Sequence, residues 1–177
     1  MPEHDPAHLL DLIRSRRSVR RFRPDPLPDG AAERLLAAMV LAPSAGNAQP
    51  WHFVCIAEPR LRQELAAAAL RQRFVADAPL VVVVCVDEAR AARAYGERGV
   101  SLYCLQDTAA AIQNMLLVAH AMGLGTCWVG AFDEQAVAQV LELRDGLRPV
   151  ALVPVGVPAE RPRMPPRRPV GEVSEWR

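Results

Sequence analysis

One segment limits what this chain can fold into more than any other: residues 102–122, whose pattern predicts a single long helix. At ~1.5 Å per residue it would run roughly 30 Å. Leu105, Ala109, Ile112, Leu116 and Ala119 form one stripe, and Ala110, Ala111, Met115 and Leu117 carry apolar surface around most of the remaining circumference. A helix apolar on nearly all sides has to be buried on more than one of them. In a chain of 177 residues the simplest second cover is another copy of the chain. Gln106, Asp107, Gln113, Asn114 and His120 interrupt the run, so it does not read as a bilayer span.

The length suits one domain covering residues 1–177, with no internal repeat and no flexible linker. Residues 1–6 carry acids and a proline where a signal peptide would need a basic and then an apolar stretch. Four cysteines, Cys55, Cys85, Cys104 and Cys127, each sit in an apolar run and form no C-x-x-C pair, so buried free thiols are expected. A cytoplasmic location, with no membrane partner, follows from these absences. The formal net charge of +1 gives the whole molecule no electrostatic bias toward nucleic acid.

Around the long helix, periodicity predicts a first helix capped by Asp5 with Pro6 at its first position, its face formed by Leu9, Leu10 and Ile13. It should give way by Arg17 to an extended segment, 18–22. Helices are expected over 31–41, 60–73 and 134–141, and strands over 51–57, 126–129 and 150–157. Residues 80–86 contain five valines in a continuous apolar run and read as a buried central strand. The last twenty residues, rich in Pro and Gly, read as a tail that either dangles or lies across a partner; Val170, Val173 and Trp176 favour packing.

All 21 basic residues are Arg, and six of the ten residues from Arg14 to Arg23 are Arg. With 18–22 extended, Ser18 and Arg20 share one side, opposite Val19 and Arg21. Arg16, just before the bend, could join them on a single anion. A phosphate monoester carries about −1.5 to −2 charges and three acceptor oxygens, which two Arg forks and a hydroxyl would saturate. On composition alone, a solvated basic face or a nucleic-acid patch remains open. A second segment, P-S-A-G-N-A-Q-P-W over 43–51, joins a helix to a strand, and its Asn47 and Gln49 amides can donate and accept at once. A third, G-L-G-T-C-W-V-G over 123–130, is no dinucleotide fingerprint: Trp128 occupies the third glycine position, and the segment leaves a helix to enter a strand. A strand ending at Val129-Gly130 can instead offer backbone N–H groups at close range. A fourth, Arg163 to Arg168 in the tail with Arg167 and Arg168 at its end, would alone be a basic coil.

Taken in order, R-R-S-V-R-R-F, P-S-A-G-N-A-Q-P-W, Q-D-T-A-A-A-I-Q-N-M-L-L, G-L-G-T-C-W-V-G and V-P-V-G-V-P-A-E with its Arg-containing tail resemble the nitroreductase family of FMN enzymes, over essentially the whole chain. The resemblance implies an α+β fold, a mostly antiparallel central sheet wrapped by helices, in an intertwined homodimer with FMN at the subunit interface and a C-terminal arm, about 158–177, packed on the partner. It implies that Arg16, Ser18 and Arg20 hold the phosphate with Arg17 beside them and Arg167, or Arg168 one position on, joining from the tail. Asn47 would bond the flavin's polar edge. Val129 and Gly130 would aim N–H groups near its N5, and Pro43, Ser44 and Ala45 would reach the flavin of the other subunit. Only residues 89–100 separate the central strand from the long helix, where larger relatives carry a pocket roof. The pocket is therefore either open or closed by Tyr95, Tyr103 and Phe132.

The implied activity moves a hydride from NADH or NADPH through flavin N5 to a small acceptor such as a nitroaromatic or quinone, in ping-pong order, with no acid or base side chain required. Reductive dehalogenation and flavin breakdown are alternatives within the family's shape, and an Arg-rich anion- or nucleic-acid-binding dimer is the non-enzymatic one. A serine hydrolase is disfavoured by the lack of G-x-S-x-G and of obvious partners for the histidines, and a zinc site at His52 and Cys55 lacks two further ligands.

Overall fold

The computed structural model describes residues 6–177, so the Asp5 cap lies outside the described residues. The elements run α1 (Pro6–Ser15), α2 (Ala31–Val40), β1 (Trp51–Ile56), α3 (Pro59–Ala68), α4 (Phe74–Asp77), β2 (Leu80–Asp87), α5 (Glu88–Arg98), α6 (Cys104–Ala121), β3 (Gly125–Thr126), α7 (Glu134–Val140) and β4 (Leu147–Gly156). The four strands form one antiparallel sheet in the order β1-β2-β4-β3. The class is α+β, with the sheet between two helical layers.

The valine run explains the layering. Alternate residues of a strand face opposite sides. Val82 and Val84 enter a core with Leu35 and Met39 of α2 and Ile112 and Met115 of α6. Val81, Val83 and Cys85 enter a second core with Leu65 of α3 and Val137 of α7. A strand covered on both faces has no polar side to show, which is why the run is continuous.

Three predicted elements need correction. The helix expected over 60–73 stops at Ala68, because Leu70 and Arg71 are both left-handed (φ 55° and 60°) before α4 begins. Its terminal carbonyls are taken from outside: Ala68 O accepts the Asp133 N–H at 2.9 Å, and Ala69 O accepts Gln72 Nε2 at 2.9 Å. The strand expected over 126–129 is regular only at Gly125–Thr126, with a separate bridge between Val129 and Leu152. The register never slips, since Thr126 faces Val155 and Val129 faces Leu152. The ladder breaks because Cys127 faces Pro154, which has no N–H to return, and the one remaining bond, Cys127 N–H to Pro154 O, is 3.4 Å. Finally, β4 is longer than expected, beginning at Leu147, with a bulge opposite Val84/Cys85 that accommodates Pro149. The thiol expectation also fails at one position: Cys55 is exposed on β1, while Cys85, Cys104 and Cys127 are buried. Burial pushes the Cys85 thiol up to about 12.

Residues 89–100, which the sequence leaves as a spacer, hold α5, with Asp87 Oδ1 accepting the Arg90 N–H at 2.8 Å as its cap. A π-helical segment, Gly99–Tyr103, leads directly into α6. One face of α6, including Thr108, Ala111, Ile112 and Met115, is buried on the sheet. Its other side is covered only in part. α1 lies across it with no buried residue of its own, and Leu9, Leu10 and Ile13 are 55%, 57% and 47% exposed. The tail beyond residue 160 makes little use of its own chain's core: Val170 is 75% exposed and Trp176 98%.

Candidate functional site

Where α1 ends, the Arg-rich segment turns and runs along the sheet. Val19 N–H donates to Thr126 O at 2.8 Å, and Val19 is buried against Gly125, where a Cβ would lie 2.9 Å from its side chain. Burying Val19 turns Ser18 and Arg20 together to the opposite side. The start of the tail is then tied alongside: Arg23 N–H to Val157 O at 2.9 Å, Ala159 N–H to Arg21 O at 2.8 Å, and Arg20 N–H to Glu160 Oε1 at 2.7 Å. This juxtaposition encloses a cleft of about 270 Å³ lined by Arg16, Arg17, Ser18, Arg20, Arg163 and Arg167.

None of those five arginines makes an ion pair among the described residues. Arg16 is held below the usual guanidinium range, first by burial and then by repulsion from Arg17 and Arg167. Arg17 Nη1 donates to the carbonyls of Arg14 and Arg16 at 2.6 and 2.7 Å, so part of its fork is spent closing the end of α1. The Arg20 guanidinium lies over Phe74, 5.9 Å from the ring centre. Arg168 does not line the cleft; it pairs with Glu172 at 3.3 Å. Of the two tail arginines considered, the fold brings Arg167.

The 43–50 loop lies elsewhere. Pro43 and Asn47 are exposed, and Ser44, Ala45 and Gln49 are half-buried. Gly46, Asn47 and Gln49 all have left-handed backbones (φ 52°, 55° and 51°), a rare conformation for the last two. Local bonds hold them: Asn47 N–H to Ser44 O at 2.9 Å, Gln49 N–H to Ser44 Oγ at 3.0 Å, and Gln49 Nε2 to Asn47 Oδ1 at 2.9 Å. Glycine suits position 46 twice: it adopts this φ without strain, and a Cβ there would collide with the Tyr95 hydroxyl. Val129 and Leu152 exchange both backbone bonds, at 2.9 and 3.0 Å, so the Val129 N–H is occupied. Gly130 is exposed, with open space where a Cβ would stand.

The sequence profile of the nitroreductase family matches this chain over residues 13–73 and 66–157. The chain belongs to the nitroreductase family. It is 28% identical to a putative NADH dehydrogenase/NAD(P)H nitroreductase of Methanothermobacter thermautotrophicus, over 87% of this chain and 79% of that one. It is 34% identical to a 5,6-dimethylbenzimidazole synthase of Rhodospirillum rubrum, over 93% and 90%. Among solved structures it is similar to the NADPH:FMN oxidoreductase of Vibrio harveyi complexed with NAD+, with a TM-score of 0.86 and 27% identity over 94% of this chain and 76% of that one.

Within this nitroreductase-family chain, α6 separates the two sets of site residues. Asp107, in the first turn of α6, accepts the Ala45 N–H at 3.0 Å; His120, in its last turn, lies 2.9 Å from Ser15 Oγ at the foot of the Arg segment. Thirteen residues of helix put these anchors roughly 20 Å apart. Sequence reasoning placed Arg163 in the basic tail segment without a site role, and it overlooked Asp107 as an anchor and the Ser15–His120 pair, which gives one histidine a partner it was expected to lack. The pair is no hydrolytic dyad: Ser15 Oγ already donates to Asp11 O at 2.6 Å, and the groups acting on the imidazole are Arg16 and Arg17, which with burial hold its pKa down. Arg163 had a signal, the arginine spacing of the tail; the others join residues more than sixty positions apart. No helix among the described residues is long and apolar enough to cross a membrane, and none of their His, Cys, Asp and Glu side chains cluster in a metal-holding group.

Proposed function

We propose that this nitroreductase-family oxidoreductase is an FMN enzyme, passing a hydride from NADH or NADPH to a small acceptor such as a nitroaromatic or quinone in a ping-pong cycle, as a homodimer. The observation that carries the reading is the Arg cleft: five arginines line it beside a serine, and none of them is in an ion pair among the described residues. Arg16 and Arg17 are half-buried there, and like charges held close together are unfavourable until an anion relieves them. The size and donor set fit a phosphate.

Arg16, Ser18, Arg20 and Arg167 would hold the phosphate, with Arg17 and Arg163 adding charge at the rim. Gly130 would supply an N–H toward the reactive end, on a strand segment pinned by Val129. Asn47 and Gln49 would satisfy the polar edge, with Pro43, Ser44 and Ala45 beside them, all from the loop of a second subunit, because the roughly 20 Å along α6 keeps that loop away from the Arg cleft of its own chain. When bound, FMN supplies the two-electron chemistry; the protein's part is to neutralise, orient and keep the open face accessible, and no side chain has to move a proton. Dimerisation would cover the apolar face of α1 and the exposed side of α6, and give the tail a surface.

The test is an anaerobic absorption spectrum of the purified protein before and after NADH. Flavin bands that bleach, and recover on adding a quinone, support the reading. A colourless protein that FMN cannot reconstitute overturns it and returns the Arg cleft to a polyanion role, which steeply salt-dependent DNA binding would reveal. The relationship to 5,6-dimethylbenzimidazole synthases favours one second reading, flavin breakdown. Mass spectrometry after aerobic incubation with reduced FMN would find that product if the second reading holds.

A further inference from the structure

The buried acid that carries the 43–50 loop has no place in the cofactor reading, and its surroundings are unusual. Asp107 is 7% exposed. One carboxylate oxygen accepts the Ala45 N–H at 3.0 Å, and the other, Oδ2, is buried with no hydrogen-bond partner. Around it stand Ala45 and Ala48 of the loop, Tyr95 of α5, Tyr103 of the π-helical segment and Cys104 of α6. The loop is fastened from the same side: Arg90 Nε donates to Ala48 O, and the Tyr95 hydroxyl fills the space over Gly46. Tyr95 packs edge-on against Tyr103, 5.2 Å between ring centres, and Arg98 Nε donates to the Tyr103 hydroxyl at 2.8 Å.

A carboxylate buried with an idle oxygen costs stability. A neutral residue could fill the space more cheaply, unless the strong bond it makes to Ala45 is needed. That bond sits at the first residue of the turn whose next four positions include three left-handed residues, Gly46, Asn47 and Gln49. We propose that Asp107 is a positioning residue: its carboxylate, gripping the Ala45 N–H, holds residues 44–49 in the strained turn that presents Asn47 and Gln49 to the flavin. The proposal rests on the FMN reading for the ligand, but not for the turn.

Burial holds the Asp107 pKa above the usual carboxylate range, opposed by the Ala45 bond. The titratable groups facing it are Tyr95, Tyr103 and Cys104, with Arg90 and Arg98 on the α5 side and the Glu88–Arg148 pair (2.7 Å) beyond Cys104. With a raised folded pKa, the stability linked to Asp107 is fully present below its unfolded pKa and is lost as pH rises through the folded one. Asn at 107 keeps an acceptor without the charge.

The experiment compares wild type, Asp107→Asn and Asp107→Ala as full-length protein. The first readout is hydrogen exchange of the flavin-free protein. Asp107→Ala should lose protection at the amides of Asn47, Ala48 and Gln49 while β2 stays protected; unchanged exchange in the loop overturns the proposal whatever the protein binds. The second is FMN affinity by fluorescence titration. Asp107→Ala should bind about 10- to 100-fold more weakly and Asp107→Asn about fivefold, from the difference between charged and neutral hydrogen bonds. The third is melting of flavin-free Asp107→Asn at pH 8, expected to equal or exceed wild type. Loose FMN binding with undiminished stability marks positioning. If Asp107→Asn melts lower and binds FMN normally, the acid is only structural and the proposal is wrong. If wild type binds no flavin, the FMN reading fails by itself, and the exchange result still decides the turn.

Discussion

The two ends of α6 assemble their candidate site residues in opposite ways. At its C-terminal end the Arg cleft is built from charge: Arg16, Arg17, Arg20, Arg163 and Arg167 line it with no ion pair among the described residues, and Arg17 and Arg167 repel Arg16. At its N-terminal end the 43–50 loop is built from shape: Gly46, Asn47 and Gln49 adopt left-handed backbones, held by neutral hydrogen bonds and one buried acid. Charge acts over distance and tolerates imprecise placement. A strained turn acts only through contact, and needs a rigid base. One end should therefore govern how tightly an anionic cofactor is held, and the other how it is oriented.

The comparison breaks most easily at the cleft. Arg16→Ala should weaken FMN binding by about 10- to 100-fold, the loss of charged hydrogen bonds, and Arg16→Ala with Arg20→Ala further still. Both should leave the melting temperature of the flavin-free protein unchanged or higher, because repulsion is relieved. A drop in that melting temperature would mean the arginines are structural.

A mixed dimer sharpens the assignment of ends to subunits. If each flavin takes its cleft from one chain and its loop from the other, co-expressed Arg16→Ala and Asp107→Ala chains form heterodimers with one doubly damaged site and one intact site. Titration should then recover about half a wild-type complement of tight FMN sites in that heterodimer. Recovery of none would place cleft and loop of one site in a single chain.

Gly130 gives a smaller effect. A valine there meets open space, so the fold should tolerate it, while the approach of a ligand to the strand end is hindered. The expected result is about a tenfold loss in kcat/KM, ~1.4 kcal/mol, with little change in FMN affinity. An equal loss of both would move Gly130 into the phosphate end.

The smallest effect is a pH dependence. Burial, then Arg16 and Arg17, hold the His120 pKa down, so the folded state favours the neutral ring. Its contribution is present above the ordinary histidine pKa and is lost as pH falls through the lowered one. Melting of the flavin-free protein from pH 7 to pH 5 should fall more for wild type than for His120→Gln, by about 2 °C.

Much of this was legible in the amino-acid order because it rests on local periodicity. The valine run dictated a strand covered on both faces, the periodicity of residues 102–122 marked the long helix α6, and alternation alone set Ser18 and Arg20 together against Val19. The tertiary structure decided what depends on partners distant in the chain. Pro154, sitting opposite Cys127, cut β3 short. The tail's tie to Arg20, Arg21 and Arg23 selected Arg167 over its neighbour. Asp107 gained its importance only because Ala45, sixty-two positions away, folds onto it: periodicity records which side of a helix is buried, but the backbone N–H waiting there leaves no mark on the sequence.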